Sequence, residues 1–290
     1  MLRSHRMRGE MGDAPPHVRL WVDTSMAEPE HVPLSGGEAV VFSTRGPDKD
    51  GPNEDAACVV EVSDDLAVLL VADGLGGQPA GQNASEAALR ALVASIGEAD
   101  PSEVSLRGAI LDGFERANAA VQALGVGAGT TLVACEIAGD TARPYHVGDS
   151  SLLVVGQRGK LKLQTVAHSP VGYAVEAGML DESEALHHDD RHLVSNVIGD
   201  SGMRIEIGSP LQLAARDTVL LATDGLLDNV RAEEIVETTR CGPLLQAAHS
   251  LSQHGLQRML DPAGGQPSKP DDLTYMLYRR TPPSQRDARS

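Results

Sequence analysis

Two stretches of the chain share one pattern: LLVADGL at residues 69–75 and LLATDGL at residues 220–226. Each is an apolar run of strand length that ends in Asp-Gly, first at Asp73 and then at Asp224. A buried strand that ends in a carboxylate brings a charge to the rim of its sheet, and glycine lets the chain turn there. A single Asp-Gly pair is more often an ordinary turn, but two after similar strands favour a shared acidic site.

Strand-like runs occur along most of the chain, and helical patterns occur in two pairs. The strands are predicted at residues 39–43, 56–62, 67–72, 130–137, 143–147, 152–155, 160–166, 218–223 and 273–278. The helices are predicted at residues 80–96, 102–124, 232–240 and 243–259. Two helix pairs around many strands favour an α+β sandwich of two packed sheets over a parallel doubly wound sheet.

The composition indicates a folded, acidic protein. The chain has 290 residues, of which 41% are hydrophobic and 2% aromatic, so extensive disorder is excluded and the core must be largely aliphatic. Lys and Arg number 24 against 41 Asp and Glu, giving a formal net charge of −17. This charge repels nucleic acid and anionic membranes, and we expect neither as a partner. It attracts metal cations.

The ends of the chain and its cysteines bear on domain organisation and location. We expect a flexible leader over residues 1–38 with one short strand at 18–22, one domain over 39–280, and a disordered tail over 281–290. The leader lacks the apolar segment of a secretory signal, and no apolar run approaches the length of a membrane span. The cysteines are few and widely spaced, which is typical of a reducing compartment. The sequence therefore predicts a cytoplasmic protein.

Further carboxylates lie beside other predicted strands. Glu54-Asp55 precedes the strand at 56–62, Asp149 separates two strands, and Asp271-Asp272 precedes the last strand. Carboxylates gathered at one sheet edge repel one another unless they are protonated or bound to metal. Oxygen ligands without His or Cys favour Mg²⁺ or Mn²⁺ over Zn²⁺, and paired ions support in-line attack on a phosphoryl group. From the residues alone, the prediction is an acidic metal site.

Six motifs, taken in order, resemble those of the metal-dependent protein phosphatases of the 2C type, the PPM family, and in particular its bacterial members. The resemblance extends over about residues 39–280. The motifs are Asn53-Glu54-Asp55, Val71-Ala72-Asp73-Gly74-Leu75-Gly76-Gly77, Gly129-Thr130-Thr131, His146-Val147-Gly148-Asp149-Ser150, Thr223-Asp224-Gly225-Leu226-Leu227-Asp228 and Asp271-Asp272-Leu273-Thr274. One such motif is weak evidence, whereas six in order are highly specific.

The resemblance implies a fold and an activity. The fold is a four-layer α/β/β/α sandwich of two antiparallel sheets flanked by helices, with a flap near residues 168–199. The activity is hydrolysis of phosphoserine and phosphothreonine in proteins by a metal-activated water, with two Mg²⁺ or Mn²⁺ ions and room for a third. The implied partners are phosphoproteins and a cognate Ser/Thr kinase, and we expect a monomer.

The resemblance also assigns site residues. Asp73 would bridge both ions, the Gly74 carbonyl would bind one, and Asp224 and Asp271 would hold the other. Asp55 would act mainly through bound water. Asp149, with Asp224, would hold the weaker third ion. Catalytic roles are expected for Asp55, Asp73 and Asp224, and Asp272 takes the place of the asparagine that usually follows the family's last aspartate.

One departure from the family pattern concerns the phosphate. Asp50 stands where the family usually has an arginine that grips it, and Lys49 or Arg45 would have to substitute. Leu75 replaces a histidine that serves as a general acid in many eukaryotic members, and Ser151 replaces an arginine. Two alternatives therefore stay open: a catalytically weak, metal-binding regulatory pseudophosphatase, and a dinuclear metal hydrolase of small phosphoesters.

Overall fold

A computed structural model describes residues 16–47, 49–75, 80–100, 102–125, 127–186, 188–261 and 266–281. The strands are β1 (His17–Val22), β2 (Glu30–Leu34), β3 (Gly37–Thr44), β4 (Ala56–Ser63), β5 (Leu66–Ala72), β6 (Gly74–Leu75), β7 (Gly129–Thr130), β8 (Leu132–Ala138), β9 (Thr141–Val147), β10 (Ser151–Val155), β11 (Leu161–Gln164), β12 (Glu206–Ile207), β13 (Leu211–Gln212), β14 (Thr218–Ala222) and β15 (Leu273–Arg280). The helices are α1 (Ala80–Gly97), α2 (Glu103–Leu124), α3 (Pro170–Glu176), α4 (Glu182–Ala185), α5 (Asp224–Leu227), α6 (Ala232–Thr239) and α7 (Leu244–Leu260).

The strands form two large antiparallel sheets. The first sheet has the order β1-β4-β5-β8-β9-β12, with β13 also paired to β9. The second has the order β11-β10-β14-β15-β3-β2. The short strands β6 and β7 pair separately, and Thr130 at the end of β7 bridges to Ile198.

Alternation along single strands produces the layers. In β5, Val68 and Leu70 face α1 and α2, whereas Leu69 and Val71 face the second sheet. In β14, Leu221 faces the first sheet and its neighbours face α6 and α7. Both faces of both sheets are therefore buried, which requires nearly continuous apolar strands. The predicted α/β/β/α sandwich is confirmed.

The prediction of a flexible leader is wrong for residues 17–34, which contain two strands. The strand expected at 18–22 is present as β1, but β2 is also a strand, and β3 begins at Gly37. Trp21 and Val32 enter the core between the sheets, and Trp21 Nε1 donates to Glu30 Oε2 at 2.9 Å. These buried contacts add residues 17–34 to the sandwich. Residues 1–15 and 282–290 lie outside the described residues, so the expectations for them stay predictions.

The expected flap contains short helices that the sequence patterns did not indicate. Helices α3 and α4 and a 3₁₀ turn over Asp189–His192 follow one another between β11 and β12. The side chain of Ser169 caps α3 by accepting a hydrogen bond from Gly172 N at 2.8 Å. The flap lies over one end of the second sheet, and this end carries the carboxylates described below.

Candidate metal centre

The register of the first sheet brings two predicted ligands together. Strands β4 and β5 are antiparallel with Ala56 opposite Ala72, so the start of one lies beside the end of the other. Asp55, immediately before β4, and Asp73, immediately after β5, therefore lie at the same edge. Asp55 is buried and Asp73 is half-buried.

The second sheet contributes three more carboxylates at the same edge. Ser151 in β10 lies opposite Ala222 in β14, and Ala222 lies opposite Tyr275 in β15. This register brings the residues that flank these strand ends to one place: Asp149, Asp224 and Asp271. The sandwich thus gathers aspartates from both sheets at one end.

Hydroxyl groups connect the two sheets beneath these carboxylates. Thr223 Oγ1 donates to Asp55 Oδ2 at 2.9 Å and accepts from Thr274 N at 3.2 Å. The backbone of Asp73 is held by Thr131, whose N–H donates to the Asp73 carbonyl at 2.8 Å and whose hydroxyl accepts from Asp73 N at 3.1 Å. Thr131 also forms a hydroxyl–hydroxyl bond to Ser150 at 2.7 Å. Asp55 and Asp73 are consequently fixed in position by neighbouring strands.

The glycine of each Asp-Gly pair is needed for close approach. A Cβ on Gly74 would lie 2.2 Å from the Gly81 carbonyl oxygen in α1, and one on Gly225 would lie 1.8 Å from the Asp272 carbonyl oxygen. Neither glycine has a positive φ. The turn conformation expected from the sequence is therefore not the reason for glycine; the reason is that a second backbone segment passes directly against each glycine.

Burial and mutual repulsion raise the pKa values of these carboxylates. Burial is the main cause, and it raises the pKa of Asp55 and Asp73 well above the ordinary value. Repulsion from neighbouring carboxylates, including Asp224, adds to this effect. Burial and Asp224 also raise the pKa of Asp149 to about 7 and that of Asp271 to about 6. These carboxylates therefore ionise less readily than free ones, and once ionised they carry more negative charge than neighbouring groups neutralise.

Three buried carboxylate oxygen atoms accept no hydrogen bond from the described residues: Glu54 Oε1, Asp149 Oδ1 and Asp228 Oδ2, the last of which is ion-paired with Lys269. Glu54 Oε1 lies beside Gly81 and the Gly74 carbonyl, the predicted backbone ligand. Unsatisfied buried oxygens are costly, and here they occur where carboxylates are crowded. Oxygen-only donors with excess negative charge suit Mg²⁺ or Mn²⁺, so these residues fit the ions that the sequence predicts.

Lys269 is a cation inside this acidic edge that the sequence analysis missed. Its Nζ lies within hydrogen-bond distance of Asp224, 3.0 Å from Asp228 Oδ2 and 3.5 Å from Asp271 Oδ2. The backbone of Lys269 is held by Asn229, which accepts from its N–H and donates to its carbonyl, both at 2.8 Å. Asp228, the last residue of the motif after β14, is half-buried and belongs to this cluster.

The predicted phosphate ligands differ in how their charge is used. Lys49 Nζ donates to Glu54 Oε2 at 2.6 Å and to Asp272 Oδ2 at 2.5 Å. Burial lowers the pKa of Lys49, but these hydrogen bonds outweigh it and raise the pKa above its ordinary value. Arg45 is exposed, and its Nη1 donates to the Gly51 carbonyl at 3.1 Å. Lys49 is thus engaged as the counter-ion of Asp272 and Glu54, whereas Arg45 is accessible.

Asp272 and Asp271 have separate environments. Asp272 is buried and accepts from the backbone N–H groups of Gly46 at 2.8 Å and Glu54 at 2.7 Å, in addition to Lys49. Asp271 is more exposed and faces Lys269. The hydrogen bonds of Asp272 favour Asp271 as the metal-facing member of the pair, as the sequence comparison implied.

A second cluster of possible metal ligands lies beside the centre: His146, His168 and Glu206. His168 Nδ1 accepts from Gly148 N at 3.1 Å and from Asn196 Nδ2 at 2.9 Å. Its proton is therefore on Nε2, which donates to Glu206 Oε2 at 3.1 Å. With Nε2 protonated and the Nδ1 lone pair accepting hydrogen bonds, neither ring nitrogen of His168 is available to a metal, and the residue anchors the start of the flap.

Comparison with known proteins identifies the family. The sequence profile described as "Protein phosphatase 2C" matches residues 47–261. The chain belongs to the protein phosphatase 2C family. This phosphatase is 30% identical to the serine/threonine phosphatase stp of Listeria welshimeri over 243 residues, which cover 79% of this chain and 90% of that protein. It is 32% identical to the serine/threonine protein phosphatase PstP of Mycobacterium tuberculosis over 218 residues, which cover 72% of this chain and 40% of PstP.

Solved structures with the same fold come from bacterial serine/threonine phosphatases. A crystal structure of Mycobacterium tuberculosis PstP/Ppp has a TM-score of 0.67 and 28% identity, covering 84% of this chain and 98% of that one. The structure of the S. agalactiae serine/threonine phosphatase has a TM-score of 0.72 and 27% identity, covering 83% of this chain and 98% of that one. A structure of the PstP catalytic domain in complex with two manganese ions has a TM-score of 0.66 and 28% identity, covering 84% and 98%.

These comparisons confirm the predicted family and activity. Metal-dependent dephosphorylation of serine and threonine residues in proteins is the family function, and this phosphatase is a protein-serine/threonine phosphatase. The expected cofactor type, a pair of Mg²⁺ or Mn²⁺ ions, agrees with the family. None of the helices within the described ranges is long and apolar enough to cross a bilayer.

Proposed function

We propose that the phosphatase removes phosphate from phosphoserine and phosphothreonine at the aspartate edge where the two sheets meet. The observation that carries this proposal is the convergence of strand-end carboxylates with raised pKa values, because such a cluster is stabilised by binding divalent cations. Asp73, the Gly74 carbonyl, Asp224 and Asp271 would hold two ions. Asp55 would act through bound water, and Asp149 with Asp224 would hold a weaker third ion.

When bound, the ions would supply Lewis-acid activation of water and neutralise the charge of the phosphoryl group. The chain's own residues would orient this chemistry. Thr223 fixes the Asp55 carboxylate through Oδ2, and the hydrogen bonds between Thr131 and Asp73 fix the Asp73 backbone from which its carboxylate projects. Small displacements at a reacting centre are costly in rate, so these bonds support catalytic roles for Asp55, Asp73 and Asp224.

Arg45 would bind the substrate phosphate in place of the missing family arginine. It is exposed close to the edge, and a guanidinium binds a phosphate through two parallel hydrogen bonds. Lys49 is unsuited to this role because its ammonium already donates to two carboxylates. Lys49 would instead hold Glu54 and Asp272 in place.

The substrates would be phosphoproteins, and a Ser/Thr kinase would supply them. We infer a cytoplasmic, monomeric enzyme, and the net charge of −17 disfavours nucleic-acid and anionic-membrane partners. We also propose that residues 17–281 constitute one catalytic domain, because β1 and β2 contribute to its core.

A second candidate is the catalytically weak, metal-binding regulatory protein. The observation that favours it is the engaged ammonium of Lys49, with Asp50 at the position of the phosphate-gripping arginine. Such a protein would bind Mn²⁺ without turning over substrate.

The test uses the full-length protein with Mn²⁺ and a phosphothreonine peptide, with phosphate release as the measurement. We expect turnover that EDTA stops and fresh Mn²⁺ restores. Asp224→Asn should abolish turnover, whereas Asp64→Asn, a change of the same type at an exposed position, should not. Mn²⁺ binding by calorimetry without phosphate release would refute the enzyme and support the regulatory protein.

A further inference from the structure

A cavity of about 320 Å³ opens beside the carboxylate edge, between the flap and α6. Asp149, Asp224 and Asp228 line the end of the cavity that it shares with the centre. The cavity is therefore continuous with the place where a phosphoryl group would be cleaved, although most of its wall lies outside the carboxylate cluster.

Most of the remaining wall is aliphatic, and its charged members are Glu176 and Arg191. Leu153 and Val171 are buried at the sheet and flap sides, and Val230 and Ile235 are buried at the α5–α6 side. Val175 lies half-buried on the flap side. An aliphatic wall gains free energy by covering apolar surface and gains nothing from a charged or strongly hydrated group.

The flap that forms one wall is attached at both ends. His168 anchors its start through Gly148 and Asn196. Arg191, near its end, donates to the carbonyl groups of Leu186 and Ser268. Ser268 adjoins Lys269, so Arg191 ties the flap to the segment that carries the last carboxylates. These bonds preform the cavity, which reduces the ordering that an incoming group must pay for.

The volume limits the occupant. Pockets for whole small molecules span about 300–1,000 Å³, so this cavity is at the lower limit and suits a single large side chain. An acidic side chain is disfavoured because four carboxylates, those of the three aspartates and Glu176, line the cavity against the single guanidinium of Arg191. An apolar side chain, presented by the same peptide that presents the phosphate, meets both the size and the chemistry.

We propose that this cavity binds the aliphatic or aromatic side chain of the residue adjacent to the phosphorylated residue of the substrate. The cavity would thereby set sequence preference around the phosphosite. This inference rests on the proposed function, since it requires the carboxylate edge to be the site of phosphate hydrolysis.

The test compares phosphothreonine peptides that differ only in the residue immediately before or after the phosphothreonine, carrying Leu, Ala or Glu. Full-length enzyme with Mn²⁺ is used, and p-nitrophenyl phosphate, which has no flanking residue, reports the basal activity. We expect kcat/KM for Leu to exceed that for Ala by about tenfold at one of the two positions. Glu should be the poorest substrate at that position.

Two variants fill the cavity from opposite walls, Val175→Phe on the flap and Ala232→Leu at the start of α6. Each should reduce the Leu-over-Ala preference to within about twofold while p-nitrophenyl phosphate turnover is kept. Ala177→Phe adds the same ring to an exposed flap position outside the cavity and should leave the preference intact. Either filling variant that keeps basal turnover is sufficient for the comparison.

Three results would overturn the proposal. The first is a wild-type enzyme with no preference at either flanking position. The second is a preference that survives cavity filling. The third is equal inhibition of p-nitrophenyl phosphate and peptide hydrolysis by an apolar small molecule that binds in the cavity, which would make the cavity an effector site. Absence of turnover with every substrate would instead refute the proposed function itself.

Discussion

Replacing Lys269 with methionine should destabilise the metal-free phosphatase and tighten its binding of metal. The ammonium is the shared counter-ion of Asp224, Asp228 and Asp271. Removing one partner of a buried ion pair costs about 3–5 kcal/mol. Here the Lys269 side chain is 21% exposed and the carboxylates are 15–37% exposed, so solvent screening reduces the expected cost to about 2 kcal/mol.

The same substitution should strengthen the binding of metal ions. In the proposed centre, metal ions at Asp224 and Asp271 would neutralise the same charge, so in the wild type they would compete with the ammonium. If the full 2 kcal/mol is recovered on binding, Lys269→Met binds Mn²⁺ about 30-fold more tightly, since about 1.4 kcal/mol corresponds to a factor of ten. Methionine keeps most of the apolar length of the lysine stem, which isolates the effect of charge.

Thermal unfolding and calorimetry check both parts of this prediction. At about 2–4 °C per kcal/mol, the Tm of the variant in EDTA should fall by about 4–8 °C, and the difference should shrink in saturating Mn²⁺. Lys160→Met, at an exposed lysine, is the control and should change neither quantity. An equal fall in Tm with and without Mn²⁺, together with an unchanged Kd for Mn²⁺, would refute the role of Lys269 as a competing cation.

Four further substitutions test other parts of the centre. Asp73→Asn should lower turnover at least about 100-fold without lowering the Tm of the metal-free protein, because it removes one charge from a crowded edge; a Tm loss equal to that of a core mutation would contradict this. Asp149 has its pKa raised to about 7, so its ionisation weakens the metal-free fold as pH rises from about 4 to 7. In EDTA, the free energy of unfolding of Asp149→Asn should therefore rise relative to that of the wild type as the pH increases over that interval. If denaturant unfolding gives the same difference between the two proteins at every pH, this prediction is wrong. Arg45→Ala should raise KM for a phosphopeptide with a smaller effect on kcat, whereas Lys49→Met should lower Tm and leave KM unchanged; the opposite pattern in steady-state kinetics would restore Lys49 as the phosphate ligand.

The fold was predictable where strands are buried on both faces. Strands such as β5 and β14 are apolar along their whole length, so their positions can be read from the sequence. β2 is an edge strand in which Val32 is the buried residue, and this sparse pattern resembles a loop, so only β1 was predicted in the leader. The short flap helices were missed for a similar reason, because α4 has only four residues and no repeating apolar face.

The candidate site was predictable as far as its aspartates follow or precede strands. Strand ends gather at one edge whatever the details of the loops, so Asp55, Asp73 and Asp224 could be placed together in advance. Lys269 could not, because its position depends on hydrogen bonds to Asn229, forty residues away in the chain. The orientation of Lys49 depends likewise on Asp272, which is 223 residues away in the chain.

The hydrogen bond from Thr223 to Asp55 has a consequence for how the protein comes apart. It joins the end of a strand in one sheet to a carboxylate beside the other, at the edge where the predicted ions would bind. Bound ions would thus hold the two sheets together at this edge. The sheets would have to separate there early in unfolding, so the lifetime of the folded enzyme in a protease-rich environment would be set by how long its ions stay bound.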